Sequence, residues 1–315
     1  MSSDAPVAQP PEAGAAQEVE IAGIRLRHPV INGSGTFDAL AAQRAFGEEV
    51  LERFPFSAFV SKTITPHPRA GNPPPRLYET PSGMINSIGL PNKGLAGFLE
   101  SDLPALAGLG VPLIVSVMGT STDEFTTLVD GVAPRDEVAA LELNVSCPNV
   151  KSGLIVGEEP AETLALMRAL RPLTAKPLIV KLTPNVAAPE RVAEAAEEGG
   201  ADAVSLINTL KATAIAPGHA GPWLGAGSGG LSGPAVRPVA LEQVRRVAAA
   251  TSLPVIGMGG IESGADAYEF MAAGANVVAV GTASFRDPLA GERVRRELAE
   301  ELSSRPAPGP KDLSR

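Results

Sequence analysis

The sequence predicts an α/β protein folded as a (β/α)8 TIM barrel, with long loops at the C-terminal face of the strands. Three observations lead there. Eight short runs rich in Val, Ile, Leu and Ala recur along the chain. Most are continuously apolar rather than alternating, as parallel strands buried on both faces must be. The stretches between them have helical character, for example at 160–170, 189–198, 235–250 and 264–273. A doubly wound open sheet is the competing architecture.

The runs fall at 29–32, 58–63, 112–117, 139–145, 177–182, 202–208, 254–257 and 276–280. Gly199-Gly200-Ala201-Asp202 and Ala273-Gly274-Ala275-Asn276 read as tight helix-to-strand turns, where glycine accepts the left-handed conformation. Two connections are too long for plain turns. One, 64–90, carries Gly71-Asn72-Pro73-Pro74-Pro75-Arg76; the other, 210–233, carries seven glycines. Long structured loops on a barrel are usually functional or face a partner. The chain shows no internal repeat. Its domain plan is a disordered arm at 1–18, one barrel at 19–302 and a loose Pro/Ser-rich tail at 303–315.

Composition narrows the function. In 315 residues, 44% are apolar and only 4% aromatic, so small aliphatic side chains must fill the core. A net charge of -9 argues against nucleic acid, whose phosphates demand a basic surface. One cysteine, Cys147, can make neither an intrachain disulfide nor an iron–sulfur cluster, and fits a reducing cytoplasm. No apolar stretch reaches the ~20 residues that span a bilayer, and the first residues do not read as a secretory signal.

Barrel active sites form at the carboxyl ends of the strands. Those ends read Gly33-Ser34, Lys62-Thr63, Ser116, Asn144 to Cys147, Lys181, Asn208-Thr209, Gly259-Gly260 and Gly281-Thr282. The glycines ending strands seven and eight sit where barrels commonly hold a phosphate, although two ordinary tight turns would look the same. Lys62 and Lys181 each follow a buried run. A lysine there needs a negative partner, and reduced flavin supplies one near N1; snorkelling or Schiff-base lysines are the alternatives. Asn86-Ser87-Ile88-Gly89-Leu90, Asn144, Asn149 and Asn208-Thr209 offer neutral amides and hydroxyls that match a planar ring with imide edges, such as a pyrimidine. Cys147, at a strand end between two asparagines, is either placed for proton chemistry or a small buried hydrophobe. Nothing suggests a metal, and His28, His67 and His219 read as non-catalytic.

These residues resemble the class 1 dihydroorotate dehydrogenases, B type, over about 19–302. The resemblance is carried by Ser61-Lys62-Thr63, Gly71 to Arg76, Asn86 to Leu90, Asn144-Val145-Ser146-Cys147-Pro148-Asn149-Val150-Lys151, Val180 to Asn185, Ile207-Asn208-Thr209, Gly230 to Pro234, Ile256 to Ile261 and Val280-Gly281-Thr282. It implies one flavin mononucleotide (FMN) per chain, contacted by Ser34, Lys62, Thr63, Asn144, Lys181, Ile207, Gly233, Gly259, Gly260, Gly281 and Thr282. It places the pyrimidine against Lys62, Asn86, Ser87, Ile88, Gly89, Leu90, Asn144, Asn149, Asn208 and Thr209. It makes Cys147 the catalytic base and Lys62 its charge-balancing companion. Many relatives have asparagine where this chain has Ser116, which puts that flavin contact in question.

The implied activity is FMN-dependent oxidation of (S)-dihydroorotate to orotate in pyrimidine synthesis. The thiolate of Cys147 takes the C5 proton while hydride leaves C6. Because a free thiol titrates near ~8.5, flavin reduction is expected to speed up with rising pH. The chain lacks the thiolates for a cluster and an early Gly-x-Gly-x-x-Gly fingerprint, so NAD reduction is expected to need an electron-transfer subunit carrying FAD and an iron–sulfur cluster. A homodimer core, no membrane and a cytoplasmic location complete the expectation. The rivals are a fumarate-using class 1 enzyme, a dihydropyrimidine dehydrogenase-like flavin reductase, and a non-redox barrel binding a phosphorylated ligand. The segment 150–159 is read as either a lid or a static turn.

Overall fold

The computed structural model describes residues 18–47, 54–146, 156–215, 218 and 220–305. The predicted arm, except Glu18, and the tail beyond Arg305 lie outside the described residues, as do Cys147, Asn149 and His219. The strands are β1 (Val19–Ile21), β2 (Ile24–Leu26), β3 (Val30–Asn32), β4 (Phe59–Val60), β5 (Leu77–Thr80), β6 (Gly83–Asn86), β7 (Leu113–Val117), β8 (Val138–Asn144), β9 (Leu178–Lys181), β10 (Ala203–Leu206), β11 (Leu210–Ala212), β12 (Gly229–Ser232), β13 (Val255–Met258) and β14 (Val277–Val280). The eight apolar runs of the sequence become β3, β4, β7, β8, β9, β10, β13 and β14. They form one sheet in the order β3-β14-β13-β10-β9-β8-β7-β4, parallel at every pairing.

The two end strands of that sheet meet, and a side chain joins them. Asn32 Oδ1 accepts from the Val60 N–H and Asn32 Nδ2 donates to the Val60 carbonyl, both at 2.8 Å. Ser57 N–H donates to the Val30 carbonyl at 3.0 Å just below. Asn32 is fully buried, so it serves the seam as backbone ladder bonds serve the other pairs. Losing the amide would strand the buried Val60 groups, at about 1–3 kcal/mol each.

The period of two in each strand divides its residues. Inward positions (Ile31, Val60, Ile114, Ala140, Ile179, Ala203, Ile256 and Ala279) make an inner core, closed by Ile21, Ile24 and Leu26 of the antiparallel β1–β2 hairpin. Outward positions such as Leu141, Val180, Val204 and Val278 pack with Leu166, Val192, Val244 and Phe270 of the surrounding helices. Those helices include Thr122–Val132, Pro160–Leu170, Pro189–Glu198, Arg237–Ala250, Gly264–Ala272 and Ala290–Ser304. Ser121 caps the first, and Ser263 with Asp266 forms a capping box on the fifth, each cap worth ~1 kcal/mol. The last helix runs through Ser303 and Ser304, into the stretch the sequence marked as loose.

The two long connections are more ordered than their Gly/Pro content suggested. They supply β5 with β6, and β11 with β12, as one antiparallel sheet in the order β11-β12-β6-β5 over the barrel mouth. Glycine makes this possible: a Cβ on Gly230 would collide with Thr209, and one on Gly229 with the Asn86 carbonyl. Trp223 Nε1 donates to the Leu77 carbonyl at 3.1 Å and its ring meets Tyr78 edge-on. Thr282 Oγ1 donates to Ser232 Oγ at 2.9 Å, tying this cover to the end of β14.

His28, at the foot of the barrel, is only 8% exposed, and its Nδ1 accepts from the Val30 N–H at 3.3 Å. Burial, with the charges of Arg295 and Arg27, pulls its imidazole from 6.5 down to about 3. Between those values the unfolded chain binds the proton and the folded one does not, so stability falls with decreasing pH, by up to ~1.4 kcal/mol per unit. His28→Asn is expected to reduce the stability lost between pH 7 and pH 5 in denaturant titrations. An equal loss in both proteins would remove His28 as the cause.

Candidate active site

At the carboxyl ends of the barrel strands a cavity of about 830 Å³ opens beneath the β11-β12-β6-β5 sheet. It gathers nearly every site residue that the sequence marked. From the barrel come Ser34, Lys62, Thr63, Asn144, Lys181, Ile207, Asn208, Thr209, Gly259, Gly260, Gly281 and Thr282. From the cover and its approaches come Asn86, Ser87, Ile88, Gly89, Leu90 and Gly233. Cys147 and Asn149 lie outside the described residues; their neighbours Asn144 and Ser146 line the wall. Among the described residues, no three His, Cys, Asp or Glu side chains cluster as a metal site would require. His28 and His67 are not in the lining.

The neutral amides are held before any ligand arrives. Asn208 Nδ2 donates to Ser146 Oγ at 2.9 Å and to Asn144 Oδ1 at 3.4 Å, while Asn208 Oδ1 accepts from the Thr209 N–H at 2.8 Å. Asn144 Oδ1 also accepts from the Ser146 N–H at 3.3 Å. With that oxygen engaged, the Asn144 Nδ2 group is left to donate elsewhere. Asn72 Nδ2 donates to Ser87 Oγ at 3.0 Å, fixing the 86–90 turn, where Leu90 takes a left-handed φ of 52°. Groups fixed this way recognise a rigid polar ring at little ordering cost.

Lys62, Lys181 and Arg69 bring positive charge to the cavity, the two lysines from strand ends. Lys62 follows β4 and is open to the cavity. Desolvation by the walls pulls its ammonium below the usual lysine range, against the opposing pull of the Asp38 carboxylate. Lys181 ends β9, buried, with Nζ 3.8 Å from Glu142 Oε1. Glu142 lies inside the barrel, 2% exposed, and accepts from Ser116 Oγ at 3.1 Å and Ser205 Oγ at 2.9 Å. Thr63 Oγ1 lies 2.9 Å from Ser116 Oγ and 3.1 Å from Ser34 Oγ.

One end of the cavity suits a phosphate. A Cβ added at Gly33 or Gly281 would meet no protein atom closer than 3.4 Å, so their bare faces leave usable space. Gly260 is different: its φ of 81° and the nearby Gly233 carbonyl demand glycine for the backbone itself. Neutral amides, two lysines and a glycine-lined cradle fit a flavin mononucleotide in size and chemistry. The residues to hold it would be Lys181, Thr63 and Asn144 toward the ring, and Gly259, Gly260, Gly281 and Thr282 toward the phosphate.

Sequence reasoning missed Glu142 and part of the lining. Glu142 was hidden in a strand read as largely apolar, where a lone carboxylate was itself the signal. Arg69, Met118, Ser228 and Phe285 also line the cavity, brought there by the cover or by strand ends with no motif. Ser116 stands behind the wall, fully buried and bonded to Thr63 and Glu142, as a support for the lining.

The profile of the dihydroorotate dehydrogenase family matches residues 16–302. The chain is 47% identical over 290 residues to the dihydroorotate dehydrogenase B (NAD(+)) catalytic subunit of Geobacter metallireducens, covering 90% of this chain and 92% of that one. The proteins of the same description from Desulforudis audaxviator and Citrifermentans bemidjiense are 48% and 46% identical, with the same coverage.

Gly281→Ala would place only a methyl in the open cradle, 3.4 Å from Thr36 Cγ2 at its closest. It is expected to melt within a few degrees of wild type and to lose uptake of flavin mononucleotide in equilibrium dialysis. Undiminished uptake would move the phosphate elsewhere.

Proposed function

Because this chain belongs to the dihydroorotate dehydrogenase family, we propose that its cavity holds FMN and dihydroorotate together, with Cys147 as the base. The chain is an oxidoreductase acting on a CH–CH bond, and its reaction is the oxidation of dihydroorotate to orotate in pyrimidine biosynthesis, NAD-linked as in the relatives named above. One observation supports the placement of the chemistry. Every described residue assigned to flavin or substrate lines a single cavity at the strand ends.

FMN, when bound, supplies the two-electron acceptor for the C–H bond that the reaction breaks at C6. The chain supplies the rest. Cys147 follows the wall residue Ser146 and takes the C5 proton onto Sγ. Asn144, Asn208 and Thr209, already fixed by one another, hold the pyrimidine edge, and Asn149 adds to them from the same segment. Asn86, Ser87, Ile88, Gly89 and Leu90 close over the ring from the cover. Lys62 sits where it can balance the substrate carboxylate, a charge-assisted bond being stronger than a neutral one. The cavity walls have stripped water from the Lys62 ammonium, and a bound anion would compensate that loss.

Electrons leave through a second subunit. The relatives are described as catalytic subunits, which implies a companion. This chain's single cysteine cannot hold a cluster, so FAD and an iron–sulfur cluster are assigned to that companion. A homodimeric core and a cytoplasmic location are part of the same proposal, the latter resting on the reduced state that a lone thiol needs. Among the described residues, no helix is long and apolar enough to cross a membrane.

Purified wild-type protein is expected to be yellow and to bleach with dihydroorotate under anaerobic conditions. Cys147→Ala is expected to keep FMN and bleach at least ~100-fold more slowly, the ordinary size of general-base catalysis; Cys147→Ser should recover only part of the rate near neutral pH. Bleaching at wild-type speed without the thiol would refute the base. A second assay concerns the acceptor. The chain alone should reduce NAD negligibly, and adding a flavoprotein subunit should restore the reaction; rapid NAD reduction by the chain alone would contradict the assignment.

A further inference from the structure

We propose that Glu142 is a positioning residue for the cavity floor, acting through Ser116 on Thr63 and directly on Lys181. The inference rests on the reading that FMN occupies the cavity.

A carboxylate accepts hydrogen bonds and does not donate. Glu142 therefore takes the single hydroxyl proton of Ser116 at Oε1 and that of Ser205 at Oε2. With its proton committed, Ser116 Oγ can only accept from Thr63, 2.9 Å away. Thr63 in turn commits its proton to Ser116, and what it presents to the cavity is an oxygen lone pair. Ser34 Oγ lies 3.1 Å from Thr63 on the other side but gives its proton to the Ser61 carbonyl at 2.8 Å, so it adds no donor to Thr63. A charge buried inside the barrel thus fixes the direction of a row of hydroxyls that ends at the cavity wall.

The other arm of Glu142 concerns Lys181. At 3.8 Å the pair is an ion pair without a direct hydrogen bond, so the carboxylate counterbalances the ammonium without consuming its N–H groups. Those donors remain available to an acceptor in the cavity. One residue therefore makes Thr63 an acceptor and leaves the Lys181 N–H groups free to donate. A ring with neighbouring N–H and carbonyl groups, as flavin carries on its pyrimidine edge, needs that alternation. Ser116 gains a reason as well: its hydroxyl is the link between Glu142 and Thr63.

Three apoproteins test this: wild type, Ser116→Ala and Glu142→Gln. The readouts are FMN affinity by fluorescence quenching, the midpoint potential of the bound flavin, and melting of the apoprotein. Glu142→Gln removes a negative charge from beneath the site while keeping its shape. It is expected to shift the flavin equilibrium toward the reduced form by about tenfold, or roughly 30 mV upward for a two-electron couple. Ser116→Ala leaves the Lys181 arm intact and is expected to weaken FMN about tenfold, the loss that goes with one well-placed hydrogen bond. A filler role for Glu142 and Ser116 would change melting alone. An unmoved or lowered potential in Glu142→Gln, or FMN affinity within twofold of wild type in Ser116→Ala, overturns the proposal. If Glu142→Gln does not accumulate as folded protein, Ser116→Ala decides by the same affinity criterion. Failure of the wild-type apoprotein to take up FMN would instead refute the reading on which the inference rests.

Discussion

A closed parallel sheet gives a polar side chain very few places to stand, and the rest of this structure follows from that constraint. Both faces of each strand are buried, so an unpaired donor or charge inside the barrel costs several kcal/mol. The inward rows of β7, β8, β9 and β10 accordingly run apolar from the β1–β2 plug upward and turn polar toward the strand ends. Ile114 gives way to Ser116, Ala140 to Glu142 and then Asn144, Ile179 to Lys181, and Ala203 to Ser205. Each polar residue in that layer has a partner in it or faces the cavity. Asn32 shows the same rule at the seam: it is buried because the backbone of Val60 uses both ends of its amide.

The two lysines illustrate how one cavity holds two kinds of positive charge. Lys181 is buried and balanced from below by Glu142 at 3.8 Å. Lys62 stands open to the cavity, desolvated by its walls, with the Asp38 carboxylate acting against that loss. The first therefore suits a resident group and the second a ligand that comes and goes with its own negative charge. This division agrees with a resident flavin and an exchangeable carboxylate-bearing ring.

The barrel was legible in the sequence because buried parallel strands are continuous apolar runs, which need no partner information to be seen. All eight runs became barrel strands, and 160–170 and 189–198 became helices with the predicted bounds. Site residues were legible because strand ends are where polar residues interrupt those runs, as at Lys62 and Asn144. The cover was not. Its strands have three or four residues each, β12 is Gly-Gly-Leu-Ser, and β6 finds its neighbour far along the chain. Local propensity carries no record of such a pairing. Glu142 was overlooked for the opposite reason: five apolar neighbours between Val138 and Leu143 outweighed it, although a carboxylate in such company must have a partner.

The divided origin of the cover also matters while the protein is being made. Asn86 and Gly230, which face each other across β6 and β12, are separated by 144 positions. At ordinary translation speeds of ~5–20 residues per second, the β5–β6 hairpin waits roughly 7 to 30 seconds for its partner to leave the ribosome. Throughout that interval one edge of β6 presents unpaired N–H and carbonyl groups, the kind of edge that invites pairing with the wrong strand. The nascent chain thus carries its greatest risk of misassembly in the roof of the pocket, well before the barrel beneath it can close.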